Sequence, residues 1–342
     1  MMPPENHWRE RGRATSVANA DALGRPRRSV LSFARRMTTR SSPTAGRKSV
    51  TVRVPASTSN LGPGFDTLGV ALRLYNFVQV TTVPGKLVAI TSPVEVTHRD
   101  GATALVADAA KLFFKRARQT PIGLDVKLRG DVPMSRGLGS SVTLRLGIVT
   151  ALDALTGARL GRHRLMELAT ELEHHPDNAA PATFGGFTAA GFVNGGVRCI
   201  RFAVSPRLKF VTLIPRYEVS TFKARQLVPP TFSRADTVHN LNRAALISAA
   251  FAAGDYEALR GLLEDRVHQP YREQLMPQLH RIIKAGEKAG AIGGWLCGSG
   301  PAVVCVTLKS AADVARAMQR QLREADVKVL TADNEGVKVI GR

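Results

Sequence analysis

One stretch restricts the fold more than any other: "IGLDVKLRGDVPMSRGLGSSVTLRLG", running from Ile122 to Gly147. Its first part sets Ile122, Leu124, Val126 and Leu128 in alternation, the period-two pattern of a strand with one buried face. Its last part begins a helical spacing through Val142, Leu146, Val149 and Leu152, with Thr156-Gly157 as the stop. The turn between them therefore sits at a helix N-terminus, where unpaired N–H groups and the helix dipole attract anions. Gly137 and Gly139 let the backbone approach an anion closely and take positive φ. Ser140 and Ser141 can cap the helix or present hydroxyls to a phosphate or a metal ion. An ordinary capped helix would carry the same residues, and no lysine follows the second glycine as it does in a P-loop. Taken alone, the stretch leaves both readings open.

The rest of the chain supplies the frame. "VTVRVPA" alternates Val50, Val52 and Val54 with Thr51 and Arg53 and predicts the first strand. Helices are predicted at Thr103–Gln119, Arg162–His174, Asp236–Ala253, Asp255–Val267, Arg272–Ala289 and Ser310–Glu324. Strands are predicted at Phe184–Phe192, Val197–Val204, Lys209–Ile214, Ala302–Leu308 and Val337–Ile340. Such irregular alternation points to α+β layers more than to a doubly wound parallel sheet. "VSPRLKF", beginning at Val204, divides the folded region into 49–206 and 207–342.

Charge narrows the partners. The chain of 342 residues carries a net +21, of which residues 1–48 hold +8. Those residues are rich in Arg, Ser and Pro without periodicity and are expected to be disordered or, with Met37 as an alternative start, a spurious extension. Glu5, Glu10 and Asp21 argue against a transit peptide. Nucleic acid is not the expected partner, because no aromatic-basic interleaving or helix-turn-helix pattern occurs, and an anionic nucleotide explains a basic chain equally well. No stretch approaches the roughly 18 apolar residues of a membrane span. Cys199, Cys297 and Cys305 have neither metal-ligand spacing nor the even count of a disulfide framework, as expected of a cytoplasmic protein.

Four stretches recur in order: "VPASTSNLGPGFDTLGVAL", "PMSRGLGSSVTLRLG", "ELEHHPDNAAPATFGGF" and "GAIGGWLCGSGPAVVCV". Together they resemble the GHMP kinase superfamily, and the first and third are similar to the homoserine kinases within it. The resemblance runs from about Val50 to the C-terminus. It implies an N-terminal domain like the second domain of ribosomal protein S5, a ferredoxin-like C-terminal domain, and ATP- and Mg²⁺-dependent phosphorylation of the L-homoserine hydroxyl in threonine biosynthesis. A homodimer is implied as well. Another GHMP kinase acting on a different alcohol, or a non-catalytic nucleic-acid-binding protein on the S5-like fold, are the rival readings.

Carried over residue by residue, the resemblance assigns the ATP phosphates to Pro133, Arg136, Gly137, Leu138, Gly139, Ser140 and Ser141. Mg²⁺ falls to Ser141 and Glu167, with Glu171, one helical turn along, as the fallback. The amino-acid substrate falls to Asn60, Asp66, His175, Thr221, Arg225 and Arg272, with Asp66 facing the ammonium and the planar arginine forks facing the carboxylate. His175 and Asn178 are expected beside the reacting groups; an amide lacks the basicity of a general base, so catalysis would rest on alignment and charge stabilisation. Asp177 is expected to be structural and His174 to face solvent. Gly298, Ser299 and Gly300 form a turn expected to abut the phosphate loop. The chain departs from the family pattern at Cys297 and Ser299, and at Val142, Thr143, Leu144 and Arg145, where small alanines usually follow the serine pair.

Overall fold

The computed structural model describes residues 48–85, 88–90 and 96–341. Expectations for residues 1–47 lie outside the described residues. The first half of the chain runs through β1 (Ser49–Ser59), β2 (Leu68–Val83), β3 (Val88–Ile90), α1 (Val96–Ala117), β4 (Gly123–Gly130), α2 (Ser140–Thr156), α3 (Gly161–Glu173), α4 (Ala179–Phe184), β5 (Phe187–Val193) and β6 (Gly196–Phe202). The second half adds β7 (Lys209–Pro215), α5 (Thr221–Gln226), α6 (Arg234–Ala253), α7 (Gln269–Arg272), α8 (Leu279–Lys288), β8 (Gly293–Leu296), β9 (Val303–Thr307), α9 (Ala311–Gln321), β10 (Ala325–Leu330) and β11 (Lys338–Gly341).

Two sheets result. The first runs β11-β1-β2-β4-β3, with β5 pairing β2 and β6 pairing β5; the second runs β10-β7-β9-β8. The last strand, β11, returns to pair antiparallel with β1. Alternation decides which face is buried: Val50, Val52 and Val54 of β1 and Leu124 and Val126 of β4 point into one core, where they meet Phe113, Leu146, Val149 and Leu168 from the covering helices. A second core lies between the sheets, joining Ala56, Leu68 and Leu72 to Phe210, Val304 and Trp295. The Trp295 indole N–H ends that packing by donating to Thr58 Oγ1 at 2.9 Å. A third core packs α8 and α9, through Leu279, Ile282, Val314 and Met318, on the far face of the second sheet.

Three sequence expectations change. The 16-residue β2 carries the same alternation in its second half, through Leu74, Val78 and Val80, and was not predicted as a strand. Asp255–Val267 is not a helix: only Glu257–Leu259 makes a 3₁₀ turn. The chain then breaks at Gly261, at φ 78°, and Asp265 turns its carboxylate onto the N–H groups of Val267, His268 and Gln269, ahead of the next helix. Arg272–Ala289 is interrupted because Pro277 removes a backbone donor, so the one-turn α7 is separated from α8. The stop at Gly157 is as expected, with that residue at φ 68°.

Candidate active site

An open cleft of about 160 Å³ runs from the first turn of α2 to the Gly298-Ser299 turn. Its floor at one end is backbone. Gly139 is the N-cap of α2 at φ 72°, and no side chain caps the helix, so Ser140 and Ser141 form the first turn instead of capping it and its amide N–H groups stay open to the cleft. This overturns the expectation that the serine hydroxyls serve as caps. Gly137 is held by contact as well as conformation: a Cβ there would stand 2.1 Å from the Cys297 carbonyl oxygen. The Gly298 turn thus abuts the anion loop, and Cys297 adds a thiol hydrogen bond to the Gly137 carbonyl at 3.0 Å.

Not every residue of the loop faces the cleft. Pro133, Arg136 and Leu138 are absent from its wall, while Met134 and Ser135 line it. Leu138 is fully buried in the core between the sheets, and its carbonyl accepts from Ser57 N–H at 3.2 Å. The Arg136 guanidinium donates to the carbonyls of Pro215 at 3.0 Å, Met134 at 2.8 Å and Arg216, and pairs with Glu218 at 3.1 Å. Arg136 therefore fastens the loop to the end of β7.

The acid beside Ser141 is Glu173, not Glu167 or Glu171. Ser141 Oγ donates to Glu173 Oε2 at 3.1 Å, at the point where α3 ends against the first turn of α2. Glu167 lies six residues back, about 9 Å along the helix axis, and pairs with Arg164 at 2.6 Å and His163 at 3.7 Å. Glu171 pairs with Arg116 at 2.6 Å. Arg145, one of the departures from the family pattern, pins Glu173 at 2.5 Å and the Leu172 carbonyl at 2.7 Å. Thr143 likewise accepts from Asn76 at 2.8 Å, so two of the bulky substitutions are absorbed by polar partners.

The other end of the cleft is made of side chains. Asn60, at φ 70°, accepts from the Asp66 N–H at 3.0 Å and donates to the Gly298 carbonyl at 3.1 Å, tying the first motif to the last. Arg225 grips Asp66 through two hydrogen bonds of 2.7 and 3.1 Å. Thr221 and Ser299 share a hydroxyl contact at 3.2 Å. Asn178 accepts from Ser57 at 2.8 Å and donates to Ser59 at 3.1 Å, so its amide is oriented on both sides. His174 is exposed as expected. Asp177 lines the cleft and hydrogen-bonds His175 Nδ1.

Charge in this end is closely balanced. Burial alone would drive the His175 ring towards neutrality, but the adjacent Asp177 carboxylate outweighs it and raises the His175 pKa above its ordinary value. Burial likewise opposes the Asp177 charge, yet His175 and Ser59 pull its pKa down. Arg272 is buried; desolvation first, then repulsion from Arg225, lowers its pKa to about 10. Asp66, His175 and Asp177 bring possible ligand atoms within 4.8 Å of one another. Because Arg225 and His175 already face those two carboxylates, the cluster suits a polar substrate better than a bare metal ion.

Sequence reasoning missed Ser57, Ser59, Arg145 and Glu173. Glu173 carried a usable signal, since it closes a helix immediately before the His-His-Pro-Asp-Asn turn. The serines carried none, because their roles arise only once β1 lies against α4.

Comparison with known proteins decides the family. The GHMP kinases N terminal domain matches residues 104–186 and the GHMP kinases C terminal matches 247–324. The homoserine kinase of Caldicellulosiruptor bescii is 36% identical over 85% of this chain and 96% of its own length. The chain belongs to the homoserine kinase family. The homoserine kinase of Deinococcus radiodurans is 40% identical over 75% of this chain and 83% of its own. The crystal structure of the homoserine kinase from Cytophaga hutchinsonii matches with a TM-score of 0.77 at 26% identity, covering 85% of this chain and 97% of that one. The layers described above are therefore the α+β GHMP kinase fold of the homoserine kinases, and the cleft lies where its two sheets meet the α2 turn.

Proposed function

We propose that the chain transfers the terminal phosphoryl group of ATP to the side-chain hydroxyl of L-homoserine, giving O-phospho-L-homoserine for threonine biosynthesis. The observation that carries this reading is the union, in one cleft, of an uncapped helix N-terminus with a carboxylate and two arginines built for an amino acid. The triphosphate lies on the first turn of α2, where amide N–H groups of Ser140 and Ser141 meet its charge. The apolar wall formed by Leu105, Leu128 and Met134 offers a surface for the base.

The donors beside the anion site fit Mg²⁺: Ser141 Oγ and Glu173 Oε2 lie 3.1 Å apart, and both are oxygen ligands of the kind it prefers. Ser141 and Glu173 would hold the ion, which supplies neutralisation of phosphate charge. Asp66 receives the substrate ammonium, while Arg225 and Arg272 receive its carboxylate; of the Arg272 fork, Nε and Nη1 are bound to protein and Nη2 is left for a ligand. Asn178 and His175 orient the hydroxyl from the α4 side. The Asn178 amide lacks the basicity of a general base, so rate comes from alignment and charge complementarity.

A cytoplasmic homodimer completes the reading, and the three free thiols accord with a reducing compartment. Among the described residues no helix is long and apolar enough to cross a membrane. The test is turnover of homoserine, mevalonate, shikimate and galactose by the purified chain with Mg²⁺ and ATP. Phosphorylation of homoserine alone is expected; preference for any other alcohol refutes the assignment.

A further inference from the structure

Arg272 is held by a neighbour that the proposed function does not use. Its Nε donates to the Ala224 carbonyl at 3.2 Å, and its Nη1 is shared between the Gly298 carbonyl at 3.0 Å and His268 Nδ1 at 3.3 Å. His268 is fully buried, and its Nε2 meets the Gly62 carbonyl at 2.9 Å. A carbonyl only accepts, so Nε2 carries the proton; an arginine N–H only donates, so Nδ1 is bare. Geometry alone thus makes the ring neutral and fixes one tautomer. Burial and the Arg272 charge act in the same direction, lowering the His268 pKa against the opposing pull of Asp265.

The segment that carries the ring is itself anchored, and the ring is stacked. Its backbone N–H and that of Gln269 donate to Asp265 at 2.9 and 2.6 Å, and Asp265 is itself fixed by Asn240 at 2.6 Å. Its face stacks on Phe65 at 5.1 Å and 20°, and the same Phe65 ring lies under the guanidinium of Arg272 at 5.1 Å and that of Arg225 at 5.8 Å. Gly62 and Phe65 belong to the turn that presents Asn60 and Asp66 to the cleft.

We propose that His268 is a positioning residue for substrate recognition: by accepting from Arg272 and donating to Gly62 it sets the guanidinium so that Nη2 meets the substrate carboxylate, in register with the Asp66 turn. This rests on the assignment of Arg272 to the carboxylate. A histidine that merely filled the core would affect both substrates and stability alike. A positioning residue acts on one substrate and only through Arg272.

The experiment combines His268→Phe, which keeps the stack on Phe65 but loses both hydrogen bonds, with His268→Gln, which offers an amide donor and acceptor. Loss of one charge-assisted hydrogen bond predicts a rise of about tenfold in the KM for homoserine in His268→Phe, with kcat and the KM for ATP within about twofold of the parent. His268→Gln recovers part of the loss. In an Arg272→Ala background, His268→Phe adds nothing further to the homoserine KM. Equal rises in both KM values, or additive effects in the double variant, overturn the proposal. An Arg272→Ala single variant with unchanged homoserine KM overturns the carboxylate assignment itself, and this inference with it. Should His268→Phe fail to fold, ¹⁵N shifts of the His268 ring in the unsubstituted protein still decide. A neutral ring protonated on Nε2 across the range where an ordinary histidine titrates supports the proposal, and an Nδ1-protonated or cationic ring overturns it.

Discussion

The two ends of the cleft are built by different means. The end proposed to hold phosphate is one continuous stretch, Gly137 to Ser141, built of main chain at a helix terminus. The end proposed to hold the amino acid draws Asn60, Asp66, His175, Arg225, Arg272 and Ser299 from separate segments, and it is built of polar and charged side chains held by one another. The first end depends on backbone conformation and close approach. The second depends on how several elements pack. Apart from its one carboxylate, Glu173, the first should therefore be injured by steric means, and the second by loss of individual charges.

The largest expected effect falls on the one side chain that the phosphate end needs. Glu173→Gln should lower kcat by about 10³-fold, the scale of removing a preorganised electrostatic partner, while Glu167→Gln leaves steady-state rates unchanged. Equal losses in the two variants would return the metal site to Glu167. Next comes Gly137→Ala, whose Cβ would meet the Cys297 carbonyl at 2.1 Å with φ at 79°. An increase of about 10²-fold in the KM for ATP and a destabilisation of about 2–4 kcal/mol are expected. Binding of homoserine, measured by calorimetry, should change less.

At the amino-acid end, Arg225→Ala should raise the KM for homoserine by about 30-fold, as for a charge-assisted pair, with the KM for ATP held. A comparable loss for ATP would mean that the two ends are not separable. The smallest effect is on stability and follows from the His175–Asp177 pair. His175 has a raised pKa, so its contribution is complete below its ordinary value of 6.5 and fades as pH climbs through the folded value. Asp177 has a lowered pKa, so its contribution is complete above its ordinary 3.8 and fades as pH falls through the folded value. The stability difference between the parent and Asp177→Asn should thus be greatest between those two ordinary values and shrink on the alkaline side, as thermal melts across pH would reveal. A difference growing with alkaline pH contradicts the pairing.

Legibility followed the same division. The strand, turn and helix around Gly139 could be read directly because each depends on neighbours within a few residues. The acid hydrogen-bonded to Ser141 is Glu173, whereas the sequence points to Glu167, because a count of residues along α3 does not say which of its acids lies against Ser141. The helix expected over Asp255–Val267 failed for a related reason. Its apolar spacing was adequate, but the chain leaves helical geometry at Gly261, and Asp265 hydrogen-bonds the N–H groups of the next segment. Arg136 stands in the loop by position, and its side chain is clamped on the carbonyls of Pro215 and Arg216 at the end of β7.

By itself, the sequence determined the alternating strands, the glycine-serine helix start and the set of charged residues available to the cleft, since these follow from local periodicity and backbone freedom. Tertiary structure alone decided which carboxylate faces Ser141, which arginine keeps a free donor, and that a buried histidine holds one of them. The reason is physical: a hydrogen bond or ion pair between segments depends on distances of a few ångströms, and those exist only after the two sheets and their helices have packed.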